Sequence, residues 1–496
     1  MSAQRTSLHP LASLWLIPIA LLAGCATRPV NPPITHVDPT AGYRFEARQA
    51  HESKRDKENL VVLAFSGGGT RAASFSYGVL EFLRKTEVTD ASGKKTRLLD
   101  SVDLITGVSG GSFTALAYGL YGDKLFDDYE TRFLKRNVQG ALTKMTFNPL
   151  NWPKIWSTGV GRSELASNYY DEILFNGATF GDLSRGEGPV IMASATDLST
   201  GVRFVFNQTV FDVICSDLQS VKLSRAAAAS SAVPVVLSPV TLNNYGGKCG
   251  MTAPVWAKPF IGVEEPPRPA ARAVRTLENM RTLGDSADRP FLHLVDGGVS
   301  DNLGVRGVLD ALQILQALQL SGQPTPLDDA RRIVVIIVNS LSTPPTNWDK
   351  SEEPPGSIST MLKAAGTPID QTSYENVEQL KDMAEEWRRM RFLAKTAGLA
   401  SSSDPAVAKI LKVPNAEIYA IDVSFSKLDD KAEFDYLNSQ PTSFVLKPEA
   451  VDRLRAAAGT IIAKSPEFKR LMKDVGAQVI TAPASEQPAP AASPTN

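Results

Sequence analysis

Residues Gly107-Val108-Ser109-Gly110-Gly111 set a serine among small neighbours in the pattern Gly-x-Ser-x-Gly. An apolar run, Val102–Thr106, ends just before it. Behind it Phe113, Leu116, Ala117 and Leu120 follow helical spacing. This is the setting of a nucleophile on a sharp strand-to-helix turn, whose crowded backbone demands small flanking residues. The start of the helix adds positive potential and free N–H groups. With 35 glycines in the chain the pattern also arises by chance, so Ser109 needs partners.

A second cluster, Gly67-Gly68-Gly69-Thr70-Arg71, follows the apolar run Leu60–Phe65. It lacks the Gly-Lys-Ser/Thr ending of a P-loop, and Ala72 fills the last place of a dinucleotide fingerprint. Glycine backbones let N–H donors approach an oxyanion, as acyl transfer requires. A base is also needed, because a serine hydroxyl is inert at neutral pH. Of the four histidines, His9, His36 and His51 lie ahead of the first core strand. His293 sits inside the apolar run Phe291–Val295 and reads as a core histidine. That run ends in Asp296-Gly297-Gly298. A carboxylate at the carboxyl end of a strand can meet Ser109, so Asp296 is the preferred base; a turn or N-cap aspartate is the alternative.

These loops need a scaffold. Leu60–Phe65, Val102–Thr106, Val190–Ala195, Phe291–Val295 and Ile333–Val338 read as buried strands, alternating with helical segments such as Leu309–Leu320. Ala416–Val423 adds a further strand. The rhythm implies an α/β fold, a mostly parallel central sheet with helices on both faces. Ligands of such sheets bind beyond the carboxyl ends of the strands.

Four motifs occur in order: Gly-Gly-Gly-Thr-Arg (67–71), Gly-Val-Ser-Gly-Gly (107–111), Ala-Ser-Ser-Ala-Val-Pro (229–234) and Asp-Gly-Gly (296–298). Together they resemble the patatin-like phospholipase family, over roughly residues 60–310. The resemblance implies a three-layer α/β sandwich. It implies a phospholipase A-type acyl hydrolase with a Ser109–Asp296 dyad and an oxyanion hole from Gly67, Gly68 and Gly69. Arg71, Gly107, Gly111, Gly297 and Gly298 would support these loops, and Asn302 resembles a loop-ordering asparagine of the family. The expected substrate is membrane phospholipid or another acyl lipid, with no cofactor and no metal. A thioesterase or small-ester esterase on the same fold is one alternative; a lipoprotein that binds lipid or a partner without catalysis is another. Ala72 departs from the family's usual glycine.

Composition sets the frame: 43% hydrophobic, 21% charged, with 52 Lys and Arg against 53 Asp and Glu. No basic excess points to nucleic acid. Leu11–Leu22 is apolar but too short to span a bilayer, and it leads into Leu22-Ala23-Gly24-Cys25. This resembles the lipobox of bacterial lipoproteins. The resemblance implies loss of residues 1–24 and lipidation of Cys25. Ala26, in place of aspartate, favours the outer membrane, with the protein facing the periplasm. Residues 25–57 read as a tether. A catalytic domain follows over 58–345, with an insertion at about 243–290, then a helical and strand extension over 346–478 and a disordered tail over 479–496. Within the extension, the charged segment from Tyr374 to Lys395 reads as a solvated amphipathic helix, in a subdomain or a lid. Cys215 and Cys249 form either a disulfide or two buried thiols.

Overall fold

The computed structural model describes residues 28–45, 58–89, 93, 95–155, 160–186, 188–234, 236–264, 270–396, 414–476 and 478–479. Cys25, the expected signal segment and residues 480–496 lie outside the described residues.

Eleven strands occur among the described residues: β1 (Asn59–Phe65), β2 (Thr86–Thr89), β3 (Lys95–Arg97), β4 (Leu104–Val108), β5 (Val190–Asp197), β6 (Arg203–Val205), β7 (Val240–Asn243), β8 (Phe291–Asp296), β9 (Arg332–Asn339), β10 (Glu417–Ser424) and β11 (Gln478–Val479). The main sheet runs β10-β9-β1-β4-β5-β8-β7, with β6 also on β5, and a small sheet joins β11, β2 and β3. Strands β10, β9, β1, β4 and β5 are parallel; β6 and β8 run antiparallel to β5.

The central strands are apolar throughout because both faces are covered. In β9, Val334, Ile336 and Val338 join one core while Ile333, Val335 and Ile337 join the other. The first core receives α1 (Gly69–Arg84) and α2 (Gly110–Tyr121). The alanine-rich α3 (Leu223–Ser230) belongs to the same layer. The second receives α4 (Ser357–Thr396), whose Val377, Leu380, Met383, Ala384 and Trp387 are buried. Thus the charged helix expected to be solvated buries one full stripe, because Val377, Leu380, Ala384 and Trp387 recur at helical spacing.

The expected C-terminal extension is not separable from the domain. Strand β10 is an edge strand of the main sheet, and α5 (Pro448–Lys464) packs so closely on α1 that a Cβ at Gly78 would lie 2.4 Å from the Arg455 carbonyl. Val479, placed in the tail from sequence, pairs with Thr86.

The tether reading also fails for residues 28–45. Ile34 N–H donates to the Cys215 carbonyl (2.9 Å), Asp217 N–H to the Pro32 carbonyl (3.0 Å), and Arg44 forms a buried ion pair with Asp212 (2.9 Å). Tyr43 is buried in the core, and its hydroxyl accepts from Ile191 N–H (2.7 Å). Cys215 and Cys249 are joined in a disulfide, which ties the segment between β7 and β8 back to the loop that holds residues 32–34.

Candidate active site

The sheet brings Ser109 and Asp296 together through an unusual register. Ser194 of β5 pairs with Val108 of β4 and with Val205 of β6. Ala195 pairs with Phe204 of β6 and with Asp296 of β8. A strand residue has only two edges, so β4 and β8 share the edge opposite β6. They meet carboxyl end to carboxyl end against β5. Ser109 follows Val108 directly, and Asp296 is the last residue of β8.

At Ser109 the chain takes φ 47° and ψ −120° before entering α2. For a non-glycine residue this is a strained conformation, costing about 1–3 kcal/mol and persisting only where the surroundings enforce it. The enforcement is visible. Ser109 N–H donates to Ser230 Oγ (2.9 Å), and Ser230 Oγ–H donates to the Ser194 carbonyl (2.7 Å). The flanking glycines are obligatory. A Cβ at Gly107 would lie 2.8 Å from Ser112 Cα, one at Gly110 2.0 Å from the Gly69 carbonyl oxygen, and one at Gly111 2.6 Å from that of Ser66.

Asp296 is buried, its Oδ1 accepts from Gly298 N–H (2.7 Å), and the Ser109 hydroxyl interacts with its carboxyl group. Desolvation dominates and pushes the carboxyl up to about 6, while the bonds from Gly298 and Ser109 pull the other way. A carboxylate titrating there is poised to accept a proton near neutral pH. The backbone of this turn is fixed from α3 and the residues after it. Asp296 N–H donates to the Ala232 carbonyl and Gly297 N–H to the Ser230 carbonyl, both at 3.0 Å. Gly297 must be bare, since a Cβ would lie 2.2 Å from the Ser194 carbonyl oxygen.

The three glycines of the first loop divide in role. Gly67 N–H donates to the Asn302 carbonyl (2.9 Å), so it is committed. Asn302 Oδ1 stands where a Cβ on Gly67 or Gly298 would go, 2.4 and 2.8 Å away, and so wedges the two loops together. Among the described residues, the N–H groups of Gly68, Gly69 and Gly110 have no intramolecular acceptor. Gly68 and Gly69 have φ of 139° and 61°, which glycine alone adopts freely. Of the three glycines expected to supply donors, Gly67 is therefore committed elsewhere, while Gly68 and Gly69, together with Gly110, keep unbonded N–H groups. Gly110 as a donor follows from its place as the first residue of a helix, a signal the sequence carried.

Arg71 is buried, and desolvation lowers its guanidinium to about 10, still protonated at neutral pH. It donates to the Ser340 carbonyl (2.8 Å), the Gln440 carbonyl (2.7 Å) and Thr442 Oγ1 (3.1 Å). Ser340 Oγ–H donates in turn to the Gly67 carbonyl (3.0 Å), and Thr70 N–H donates to the Ser443 carbonyl (2.8 Å). Ser340, Gln440, Thr442 and Ser443 thus brace the site from outside every motif read in the sequence, and Ser230 braces it from within the 229–234 motif. His293 is not in the core. It is exposed on β8, shares a hydrogen bond with Thr241 Oγ1 (3.0 Å), and lies three residues, about 10 Å, from Asp296 on the opposite face of the strand.

Residues 63–309 match the family model described as Patatin-like phospholipase. Among solved structures, human GIVD cytosolic phospholipase A2 aligns at 13% identity over 95% of this chain and 65% of its own, with a TM-score of 0.39. The same human enzyme in complex with methyl gamma-linolenyl fluorophosphonate aligns at 12% identity over 87% and 63%, with a TM-score of 0.37. This chain spans less than two thirds of the length of these structures. No curated protein matches the chain.

Proposed function

Residues 63–309 form a patatin-like phospholipase domain, and on that premise we propose that the chain is a lipid acyl hydrolase of phospholipase A type using a Ser109–Asp296 dyad. The observation that carries this reading is the end-to-end meeting of a strained serine and a buried carboxylate beside free N–H donors. Asp296 takes the Ser109 proton as Oγ attacks the ester carbonyl. The N–H groups of Gly68, Gly69 and Gly110 hold the oxyanion of the tetrahedral intermediate. Asp296 returns the proton to the leaving alcohol, then activates the water that releases the acyl group.

Cys25 is the proposed lipid anchor, holding the protein on the periplasmic side of the outer membrane. The Leu22-Ala23-Gly24-Cys25 sequence supports it, and the Cys215–Cys249 disulfide supports an oxidising compartment. The test is release of fatty acid from phospholipid vesicles. Ser109→Ala should lower kcat/KM by about 10⁴-fold with the fold intact; full activity in that variant refutes the reading.

A further inference from the structure

We propose that the bilayer holding Cys25 lies against the catalytic end of the sheet, so that the anchor itself turns the site toward its substrate. This rests on the lipid-anchor reading and adds an orientation to it.

The Arg28 guanidinium donates to the Thr241 carbonyl (3.2 Å) and to Asn243 Oδ1, and lies 5.5 Å from the centroid of the Phe291 ring. Asn31 clasps the same place. Its Nδ2–H donates to the Asn243 carbonyl (2.9 Å), and its Oδ1 accepts from Asn243 N–H (2.8 Å). The chain is therefore pinned from residue 28 onward. Cys25 is three residues earlier, at most about 11 Å of extended chain from Arg28.

The place where it is pinned matters. Asp197, the last residue of β5, pairs with Leu294, and Asn243 pairs with Phe291. The β7–β8 pair therefore runs on past the carboxyl end of β5 by three residues, about 10 Å. That is the end of the sheet at which Ser109 stands. Exposed apolar side chains sit at the same end: Val30 (58% exposed), Leu198 (54%) and Phe291 (49%). Leu198 N–H bonds to the His293 carbonyl (2.8 Å), which fixes it beside β8. The opposite end is dominated by charge: Phe392 and Leu393 are exposed near it, but Arg331, Arg332, Arg388, Glu417, Arg470 and Asp474 line an open cavity of about 650 Å³ there, a surface costly to press into acyl chains. An anchor this short, seated beside exposed apolar groups, brings the bilayer to the catalytic end.

The test uses the full lipidated protein in phosphatidylethanolamine–phosphatidylglycerol vesicles. The chain has three cysteines; with Cys25 acylated and the other two bonded, Leu198→Cys or Arg331→Cys supplies the sole free thiol for a fluorophore. With nitroxide on the lipid acyl chains, the label at 198 should lose roughly half its emission or more, and the label at 331 less than roughly a tenth. A Gly-Ser run of about 20 residues between Ala26 and Thr27 should then weaken quenching at 198 at least about twofold. Equal or stronger quenching at 331, or quenching at 198 that the spacer leaves unchanged, overturns the orientation while mass spectrometry shows Cys25 acylated. A mass showing Cys25 unmodified overturns the anchor and the orientation together.

Discussion

The two ends of the main sheet solve opposite problems with carboxylates. At the carboxyl end, Asp296 is buried with only a backbone N–H and a serine hydroxyl for company, and its proton affinity rises. At the amino end, Glu417 opens β10 and accepts from Arg388 (3.1 Å), Arg391 and Arg470. Three guanidinium groups converge on it. One carboxylate is kept available for chemistry at a cost in stability. The other ties α4, β10 and the helix Pro466–Val475 together and has no reactive partner. The same functional group is base or rivet according to what desolvates and what neutralises it.

Variants at each end should break this contrast in different observables. Arg71→Lys keeps the charge but loses the fork that spans Ser340, Gln440 and Thr442. It should lower kcat by about 10–100-fold with KM little changed, as expected when oxyanion donors drift. Retained kcat would detach the glycine loop from catalysis. Glu417→Gln at the other end should leave kcat within about twofold and cost about 1–2 kcal/mol in denaturant unfolding, modest because the cluster is partly exposed. A large kcat loss there would couple the two ends.

Asp296 also makes a signed prediction about stability. Its pKa is raised on folding, so the folded protein binds its proton more tightly than the unfolded chain. Its contribution is most favourable below the ordinary carboxyl value of 3.8 and declines as pH rises to about 6. Asp296→Asn should therefore raise Tm at pH 8 and change it little at pH 4, read by calorimetry. The smallest effect belongs to His293→Gln, which should leave kcat/KM within about twofold; a collapse of activity would replace the dyad with a triad.

Much of this was legible in sequence because it depends on local pattern. Leu60–Phe65 and Ile333–Val338 are apolar throughout, and both are buried parallel strands. Ser109 and Asp296 announced themselves through adjacent glycines, whose need to be bare is a backbone property. The meeting of β4 and β8 was not legible, since edge choice on β5 depends on pairings between residues up to about a hundred positions apart. Nor were Ser340, Gln440 and Thr442, which act through single hydrogen bonds and leave no periodic trace. The burial of His293 does not follow from its apolar run, because such a run is covered on both faces only in a central parallel strand. Strand β8 instead exposes Phe291 and His293 while burying Leu292 and Leu294, the alternation of an antiparallel strand covered on one side. Residues 28–45 misled because their polar, proline-dotted composition suits a free linker. Asn31 and Arg44 spend that polarity on specific partners.

The most direct measurement is the rate at which a fluorophosphonate phosphonylates the protein, with loss of fluoride, followed by mass spectrometry of the Ser109 peptide across pH 4 to 9. One adduct is expected, on Ser109, with a rate that rises through a midpoint of about 6 and is lost in Asp296→Asn. An adduct elsewhere, or undiminished Ser109 labelling in Asp296→Asn, would contradict the dyad.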